Sequence, residues 1–284
     1  MDYEVTEEEK TRNQDIEIRL LLEAIFEKYG YDFRNYSGAF LKRRIMSLAK
    51  RSNLPSISGL QHRMLYDREF FRTLLLDISL NVTEMFRDPR FFLAMREKVI
   101  PILKTYPYLK IWHAGCSSGE EVYSMAIILK EEGLLDRSLI YATDLNQEVV
   151  QKASEAIYSL DKMKTWADNY YKSKGKGSFS DYFLVKYDSV LVNQSLKKNI
   201  VFSDHNLVSD GVFGEMNMIV CRNVLIYFNR VLQNRVFNLL YNSLLPGGIL
   251  CLGSKETMVF SGHQKRYQQL HSLNIYRKNY AAEE

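Results

Sequence analysis

Acidic side chains follow two short β-rich runs at the points where strands would end. The run LKIWHAG leads into a turn with glycine at both ends, Gly115 and Gly119, and then directly into a helix that begins with Glu120 and Glu121. The run SLIYATD ends on Asp144. Ligands of parallel α/β sheets bind beyond the carboxyl ends of the strands. An acid at the helix start can pair an ammonium group, and an acid at a strand tip can accept hydrogen bonds from ribose hydroxyls.

The same turn disfavours cofactors that bind through phosphate. It matches neither GxGxxG nor GxxxxGK[ST], and its acids would repel a phosphate group. A later segment, LLPGGILCLG, predicts a helix that ends at a Pro-Gly-Gly turn before another strand. This ordered set is typical of class I S-adenosylmethionine methyltransferases, whose cofactor carries a ribose and an ammonium group but no phosphate. Structural interpretations stay open: a plain glycine turn, Asp144 as the N-cap of a helix opening at Asn146, and Pro-Gly-Gly as simple helix termination.

Composition excludes several classes of protein. The chain has 284 residues, of which 46% are apolar and 25% charged, so disordered, collagenous and disulfide-scaffold proteins are excluded. Cys116, Cys221 and Cys251 show no CxxC spacing, so no metal site is predicted. The start MDYEVTEEEK lacks the apolar run of a signal peptide, and no stretch approaches the ~18 apolar residues that span a bilayer. We therefore expect a soluble, cytoplasmic, monomeric protein without membrane insertion.

Helical and strand patterns divide the chain into two parts. Apolar residues recur at helical spacing throughout residues 13–105, whereas short β-rich runs alternate with helices from Leu109 onward. That alternation predicts a mainly parallel, doubly wound sheet. The stretch 165–198 breaks the alternation and indicates an insertion, in which a Lys/Gly/Ser loop precedes a small strand pair.

The charge is unevenly distributed although the net charge is only +4. Residues 33–66 contain no acid, but they contain Arg34, Lys42, Arg43, Arg44, Lys50, Arg51 and Arg63. Within this stretch FLKRRIMSLAKR spaces its apolar residues at helical intervals and leaves the opposite face cationic. This face is either an ordinary solvated helix surface or a docking surface for an acidic partner.

Two further strings give the chain a family resemblance. NVTEMFRD at 81–88 and CRNVLIYF at 221–228, together with AGCSSGEE and FSDHNL, resemble the motifs of CheR-type chemotaxis receptor methyltransferases in order and spacing. The resemblance implies an α/β fold: a Rossmann-like class I SAM-dependent methyltransferase domain with an all-helical N-terminal domain and a small inserted antiparallel β-subdomain. The implied boundaries are 1–80 for the helical substrate-docking domain, 81–108 for a linker with a cofactor motif, 109–280 for the catalytic domain and 165–200 for the inserted loop and β-subdomain.

The resemblance also implies the reaction and the residues that carry it. S-adenosyl-L-methionine would donate its methyl group to glutamate side chains in the cytoplasmic helical domain of chemoreceptors, giving glutamyl methyl esters and S-adenosyl-L-homocysteine. The implied cofactor-binding residues are Asn81, Thr83, Arg87, Glu121, Asp144, Asn206, Leu207, Arg222 and Asn223, with Glu120 as the alternative to Glu121. Lys42, Arg43 and Arg44 would dock the receptor, and no nucleic-acid partner is expected.

Methyl transfer to a carboxylate requires alignment rather than a general base. A glutamate side chain with its ordinary pKa of about 4.3 is already ionised at neutral pH. The enzyme chiefly has to hold the reacting atoms ~3–3.5 Å apart. We expect Arg87 to pair the incoming carboxylate, because a guanidinium binds carboxylates in a fixed bidentate geometry, and Tyr227 to be a second donor. The structural interpretations are a salt bridge of Arg87 with Asp88 or Glu84 and core packing of Tyr227.

Two other functions stay open from the sequence. One is a methyltransferase of the same fold that acts on another protein or on RNA; the basic stretch could bind phosphates, although the [NDS]-P-P-[YFW] tetrapeptide of amino-methylating nucleic-acid enzymes is missing. The other is a non-catalytic SAM-binding scaffold in a signalling complex. Some family members bind a short receptor tether through a glycine-containing loop of the β-subdomain. The segment YFLVKYDSVLVNQSLKKNIVF contains no glycine, so tether binding is not expected here.

Overall fold

The computed structural model describes residues 6–79, 83–259 and 261–280. The chain divides into two compact units. The first comprises residues 1–80 together with 226–232, and the second comprises residues 81–225 and 233–284. The helical N-terminal part therefore includes a short piece of chain from near the CRN motif, which its position in the sequence did not predict.

The first unit is a helical bundle. Its helices are α1 (Glu7–Tyr29), α2 (Gly38–Arg51), α3 (Ile57–Tyr66) and α4 (Arg68–Ile78). Thr6 and Glu9 form a capping box at the start of α1, and Gly30 ends this helix in the left-handed conformation. The apolar side chains Leu41, Ile45 and Leu48 of α2 are buried, as their helical spacing predicts.

The second unit is built on a seven-stranded sheet flanked by helices. In chain order its strands are β1 (Leu109–Ala114), β2 (Ser138–Asp144), β6 (Ile200–Asp204), β7 (Met216–Cys221), β8 (Leu244–Leu252), β9 (Tyr267–His271) and β10 (Ile275–Lys278). The helices are α5 (Pro89–Ala94), α6 (Ile100–Leu103), α7 (Glu120–Glu131), α8 (Gln147–Glu155), α9 (Met163–Lys172), α10 (Gln194–Lys197) and α11 (Arg230–Asn242), with a π-helical turn at Met95–Val99 between α5 and α6.

The order of the strands places a ligand crevice at the carboxyl ends of the central strands. The order is β6-β2-β1-β7-β8-β10-β9; the first five strands are parallel, and β10 is antiparallel to both of its neighbours. The chain runs outward on one side of β1 and then crosses to β7 on its other side. Such a reversal leaves a crevice beyond the carboxyl ends of the two central strands, which is where doubly wound folds bind their ligands.

The insertion contains a third strand that the sequence did not predict. The strand β3 (Ile157–Ser159) joins β4 (Phe183–Lys186) and β5 (Ser189–Val192) in a small antiparallel sheet of order β3-β5-β4. Because β3 lies before residue 165, the small sheet extends beyond the 165–200 stretch. A three-residue strand has too little alternation to be recognised from its own sequence.

The Pro-Gly-Gly segment is not the separate turn that was predicted. Helix α11 ends at Asn242, and β8 already begins at Leu244. Met216 pairs with Leu244 and Met218 with Ile249, so the extra residues of β8, including Pro246 and Gly247, form an irregularity inside the strand. The strand pairing thus begins before the Pro-Gly-Gly sequence, whose residues form a bulge within β8.

Candidate cofactor site

The glycine turn after β1 is held close to two neighbouring elements. Gly115 has φ +83°, and a Cβ there would lie 2.5 Å from Cγ2 of Val224. Gly119 has φ +91°, and a Cβ there would lie 2.9 Å from Cβ of Ala153. Glycine is therefore required at both ends of the turn, by conformation and by space.

Asp144 braces this turn from the tip of β2. Its carboxylate accepts hydrogen bonds from the backbone N–H groups of Ser117 (2.9 Å) and Asn146 (3.1 Å). Burial raises the pKa of Asp144, and these N–H donors oppose the shift. The N-cap of α8 is Asn146, which accepts from the N–H of Glu148. Asp144 is thus not the helix cap, and its carboxylate lies between two neighbouring loops at the strand ends.

The two acids at the start of α7 have different surroundings. Glu120 is buried, accepts a hydrogen bond from the Ser118 hydroxyl (2.7 Å) and lies 3.6 Å from Nζ of Lys162. Glu121 instead pairs with Arg222 (2.5 Å). Burial raises the pKa of Glu120. Burial also acts to raise the pKa of Glu121, but the interactions with Arg222 and His113 together outweigh it and lower that pKa. The surroundings of Glu121 therefore favour its ionised form.

Arg222 joins three motifs that are far apart in the sequence. Its guanidinium donates to Glu121 (2.5 Å) and to Asp88 (2.6 Å), and it lies 3.9 Å above the ring of Phe91. The arginine side chain is only 2% exposed. Fork geometry and stacking on an aromatic ring are specific to arginine, so lysine would not replace it. Asp88, which the sequence offered as a structural partner for Arg87, is a partner of Arg222.

The linker motif is anchored to α7 and has unusual backbone geometry. The N–H of Phe86 donates to the Ser124 hydroxyl (2.9 Å), which itself donates to the carbonyl of Glu120 (2.8 Å). Phe86 and Asp88, on either side of Arg87, have φ of +53° and +61°. Left-handed non-glycine residues cost on the order of 1–3 kcal/mol each and cluster at functional sites. Thr83 and Arg87 are half-buried.

The remaining predicted residues lie in two places. Asn206 and Leu207 follow β6, whose end is paired with that of β2; Asn206 accepts from the N–H of Val208 (2.9 Å), and Leu207 is buried. Tyr227 belongs to the first unit, where its ring lies 4.7 Å from that of Phe40 and its carbonyl accepts from the N–H of Ser37. Asn81 lies outside the described residues.

The predicted docking residues Lys42, Arg43 and Arg44 lie on α2 of the first unit. Lys42 is half-buried and pairs with Asp15 of α1 (2.7 Å). Arg43 is exposed. Arg44 is half-buried, with its guanidinium 5.7 Å from the centre of the Phe40 ring.

Sequence reasoning missed Glu256, which holds the CRN motif in place. This buried side chain accepts hydrogen bonds from the N–H groups of Asn223 (3.0 Å), Val224 (2.8 Å) and Leu225 (2.7 Å). Burial raises the pKa of Glu256, and these backbone donors oppose the shift. More than thirty residues separate the partners, so no local pattern could have revealed the contact.

The arrangement fits S-adenosylmethionine better than a phosphate-bearing cofactor. Glu121 and Asp144 are acids placed at the carboxyl ends of the central strands, and the glycine turn permits close backbone approach. These are acceptors suited to an ammonium group and to ribose hydroxyls. The strand order and this set of acceptors define a class I S-adenosylmethionine-dependent methyltransferase.

Comparison with known proteins places the chain within that class. Residues 81–275 match the family described as CheR methyltransferase, SAM binding domain, and residues 16–79 match CheR methyltransferase, all-alpha domain. The chain therefore belongs to the CheR methyltransferase family: it is a chemotaxis-type methyltransferase, and S-adenosylmethionine is its cofactor. The resemblance inferred from the sequence motifs is confirmed.

Individual relatives agree with this assignment. The chain is 49% identical to Cher3 of Pseudomonas putida over 269 residues, covering 94% of this chain and 98% of that protein. It is 28% identical to a chemotaxis protein methyltransferase of Listeria innocua, covering 81% and 86% of the two chains. It is 31% identical to chemotaxis protein methyltransferase 1 of Vibrio cholerae, covering 77% and 80%. Within the described parts of the chain, no helix is both long and apolar enough to cross a membrane.

Proposed function

We propose that this methyltransferase esterifies glutamate side chains in the cytoplasmic helical domain of chemotaxis receptors, acting as a monomer in the cytoplasm. The observation that carries the proposal is the placement of Arg87. It directly precedes Asp88, the partner of Arg222, and stands between two left-handed residues that fix the local backbone. An arginine at this position of the cofactor motif is suited to receive a carboxylate substrate.

The residues of the site would bind different parts of the cofactor. When bound, S-adenosylmethionine supplies an electrophilic methyl group on a sulfonium. Glu121 would accept hydrogen bonds from the ammonium group, and Asp144 from the ribose hydroxyls. Thr83, Asn206, Leu207 and Asn223 would line the remaining surface, with Asn81 of the same motif.

The substrate side of the reaction needs orientation and partial charge neutralisation. A receptor glutamate is ionised at neutral pH, so its carboxylate would be nucleophilic without a base. Arg87 would pair with the substrate carboxylate, and a lone pair of one carboxylate oxygen would remain available for the reaction. The role of Tyr227 as a second donor stays a prediction. Holding the reactants in line can supply several kcal/mol of the barrier reduction, roughly 7 kcal/mol or more in well-oriented cases.

The proposal is tested by methyl transfer to receptor-containing membranes. Wild type should transfer a labelled methyl group from S-adenosylmethionine to receptor, and mild alkali should release the label as methanol, which identifies an ester. Arg87→Ala should lower this transfer by about 100-fold or more, since a charge-assisted pair and the alignment it provides are both lost. Circular dichroism should show an unchanged fold.

The matched control is Arg90→Ala, an exposed arginine of the same segment. It should retain wild-type activity. Near-normal receptor methylation by Arg87→Ala would refute the role of Arg87. Alkali-stable label, or label in added RNA rather than in receptor, would refute the glutamate substrate.

A further inference from the structure

The loop after β8 makes an unusual set of contacts with the CRN motif. One carboxylate, that of Glu256, accepts four backbone N–H groups: those of Asn223, Val224 and Leu225, and that of Gly253 in its own loop. Oε1 receives Val224 and Leu225, and Oε2 receives Asn223 and Gly253. Glu256 is 4% exposed, so water does not compete for these donors.

The contacts bear directly on Asn223. This residue is left-handed, with φ +62°; asparagine tolerates this conformation better than most residues, and the contacts around it offset the free-energy cost that remains. Its N–H is bound to Glu256, and its neighbour Arg222 carries the ion pairs with Asp88 and Glu121. The conformation of the turn therefore fixes the direction of two side chains proposed to line the cofactor site.

The loop that carries Glu256 is itself held in place by hydrogen bonds to its backbone. Nδ2 of Asn274, just before β10, donates to the carbonyls of Gly253 (2.8 Å) and Glu256 (2.7 Å). Gly253 leaves room for the carboxylate, because a Cβ there would lie 2.7 Å from Oε2 of Glu256 and 2.8 Å from the N–H nitrogen of Asn223. The loop after β8 is thus shaped to present one acceptor to the CRN turn.

We propose that Glu256 is a positioning residue for the cofactor: its carboxylate fills the N–H cluster of the CRN turn and sets the orientation of Arg222 and Asn223. Successive backbone N–H groups of this kind form anion-binding concavities. Here the chain supplies its own anion, so this cluster is not available to the substrate carboxylate. The inference rests on the proposed cofactor-binding role of the CRN motif.

Glu256→Gln is the discriminating variant, because it keeps the shape but replaces one acceptor oxygen with an NH2 donor facing N–H groups. We expect affinity for S-adenosylhomocysteine, measured by calorimetry, to fall by about tenfold, as for a lost charge-assisted hydrogen bond. Turnover at saturating S-adenosylmethionine should stay within about threefold, since cofactor binding restores the turn. Amide hydrogen exchange at 223–225 should become faster.

The control is Glu131→Gln, another buried carboxylate of the second unit. Glu131 accepts from the N–H of Lys176 (3.0 Å) and the hydroxyl of Tyr182 (3.0 Å), and it pairs with Arg96. It lies ten residues along α7 from Glu121, about 15 Å at 1.5 Å per residue. Its loss should lower thermal stability without changing cofactor affinity or exchange at 223–225.

Each outcome bears on a separate claim. Wild-type affinity in folded Glu256→Gln, or equal losses in both variants, would overturn the positioning role while leaving the proposed function intact. No binding by wild type would overturn the proposed function and the cofactor part of this inference, and hydrogen exchange would still decide whether Glu256 holds the turn. If Glu256→Gln does not fold, Gly253→Ala, which crowds Oε2, should give the same pattern.

Discussion

At the scale of single residues, the site depends on how each charge is paired. Glu120 and Glu121 are adjacent in sequence, yet burial raises the pKa of Glu120, while Arg222 and His113 together overcome burial and lower the pKa of Glu121. Asp144 differs from both, because its charge is met by backbone N–H groups rather than by a cation. Such a carboxylate can hold a loop in place and still offer lone pairs to a ligand.

Asp144→Asn tests this combination. The amide would present NH2 to one of the two N–H donors, so we expect affinity for S-adenosylhomocysteine to fall by about tenfold, the equivalent of ~1.4 kcal/mol. The control is Asp204→Asn, because Asp204 is the exposed partner of Asp144 in the β2–β6 pairing. Calorimetry should find the control within about twofold of wild type. An equal loss of affinity in the two variants would contradict a specific role of Asp144, because it would show that any negative charge at the ends of these strands supports binding.

At the scale of elements, α7 organises the second unit. Its first residues carry the acids of the site, Ser124 anchors the linker motif, and Glu131 at its end holds the inserted loop through Lys176. A displacement of its N-terminus would therefore reach the cofactor site directly. Gly119 sets that position, since it starts the helix in a left-handed conformation against Ala153.

Gly119→Ala and Gly133→Ala form a matched pair at the two ends of α7. Both glycines have positive φ, so Gly133→Ala should destabilise the fold by about 1 kcal/mol and Gly119→Ala by more than that. The two positions differ in the space around them: a Cβ at Gly119 would clash with Ala153, whereas a Cβ at Gly133 would meet nothing within 4 Å. We expect Gly119→Ala alone to weaken S-adenosylhomocysteine binding, by about tenfold. Denaturant titration and calorimetry measure the two effects; unchanged binding by Gly119→Ala would contradict this view of the turn.

At the scale of the whole molecule, the basic stretch 33–66 presents less unpaired positive charge than its sequence suggests. Acids from elsewhere in the first unit neutralise much of it: Arg34 pairs with Asp32 and Glu23, Lys42 with Asp15, Arg51 with Asp77 and Arg63 with Asp67. Exposed pairs of this kind contribute little stability, but they reduce the local positive field. Arg43, exposed on α2, is then the residue of the predicted docking set most accessible to an acidic partner.

Charge reversal tests the proposed docking surface. Lys42, Arg43 and Arg44 changed to Glu should weaken receptor association by about tenfold or more at low salt, with a smaller effect at high salt, because screening reduces steering. Cofactor affinity should not change. Reversing Lys152, Lys164 and Lys265, exposed residues of the second unit, gives the same change in net charge and should leave association intact. A pull-down in which both triple variants bind alike would refute a docking role for α2.

Much of this molecule could be predicted from the sequence. The period of the apolar residues indicated the α2 helix and the alternation of strands and helices, because these patterns depend on neighbours within a few residues. The motif strings gave the family, and with it the cofactor. The polar edge strand β9 and the short strand β3 were not predicted, since neither has an apolar run of useful length.

The tertiary structure alone decided which charges meet. Arg222 pairs with acids 101 and 134 residues away, and Glu256 binds the CRN turn across 33 residues. From the sequence, Asp88 could only be offered, with Glu84, as a neighbouring partner for Arg87, because proximity along the chain was the only guide; its pairing with Arg222 was not predicted. Ion pairs and buried acceptors depend on distance in space, which the sheet order sets by bringing β1 and β7 together. The sequence determined the elements and their motifs, while the fold determined which partner each charged group would have.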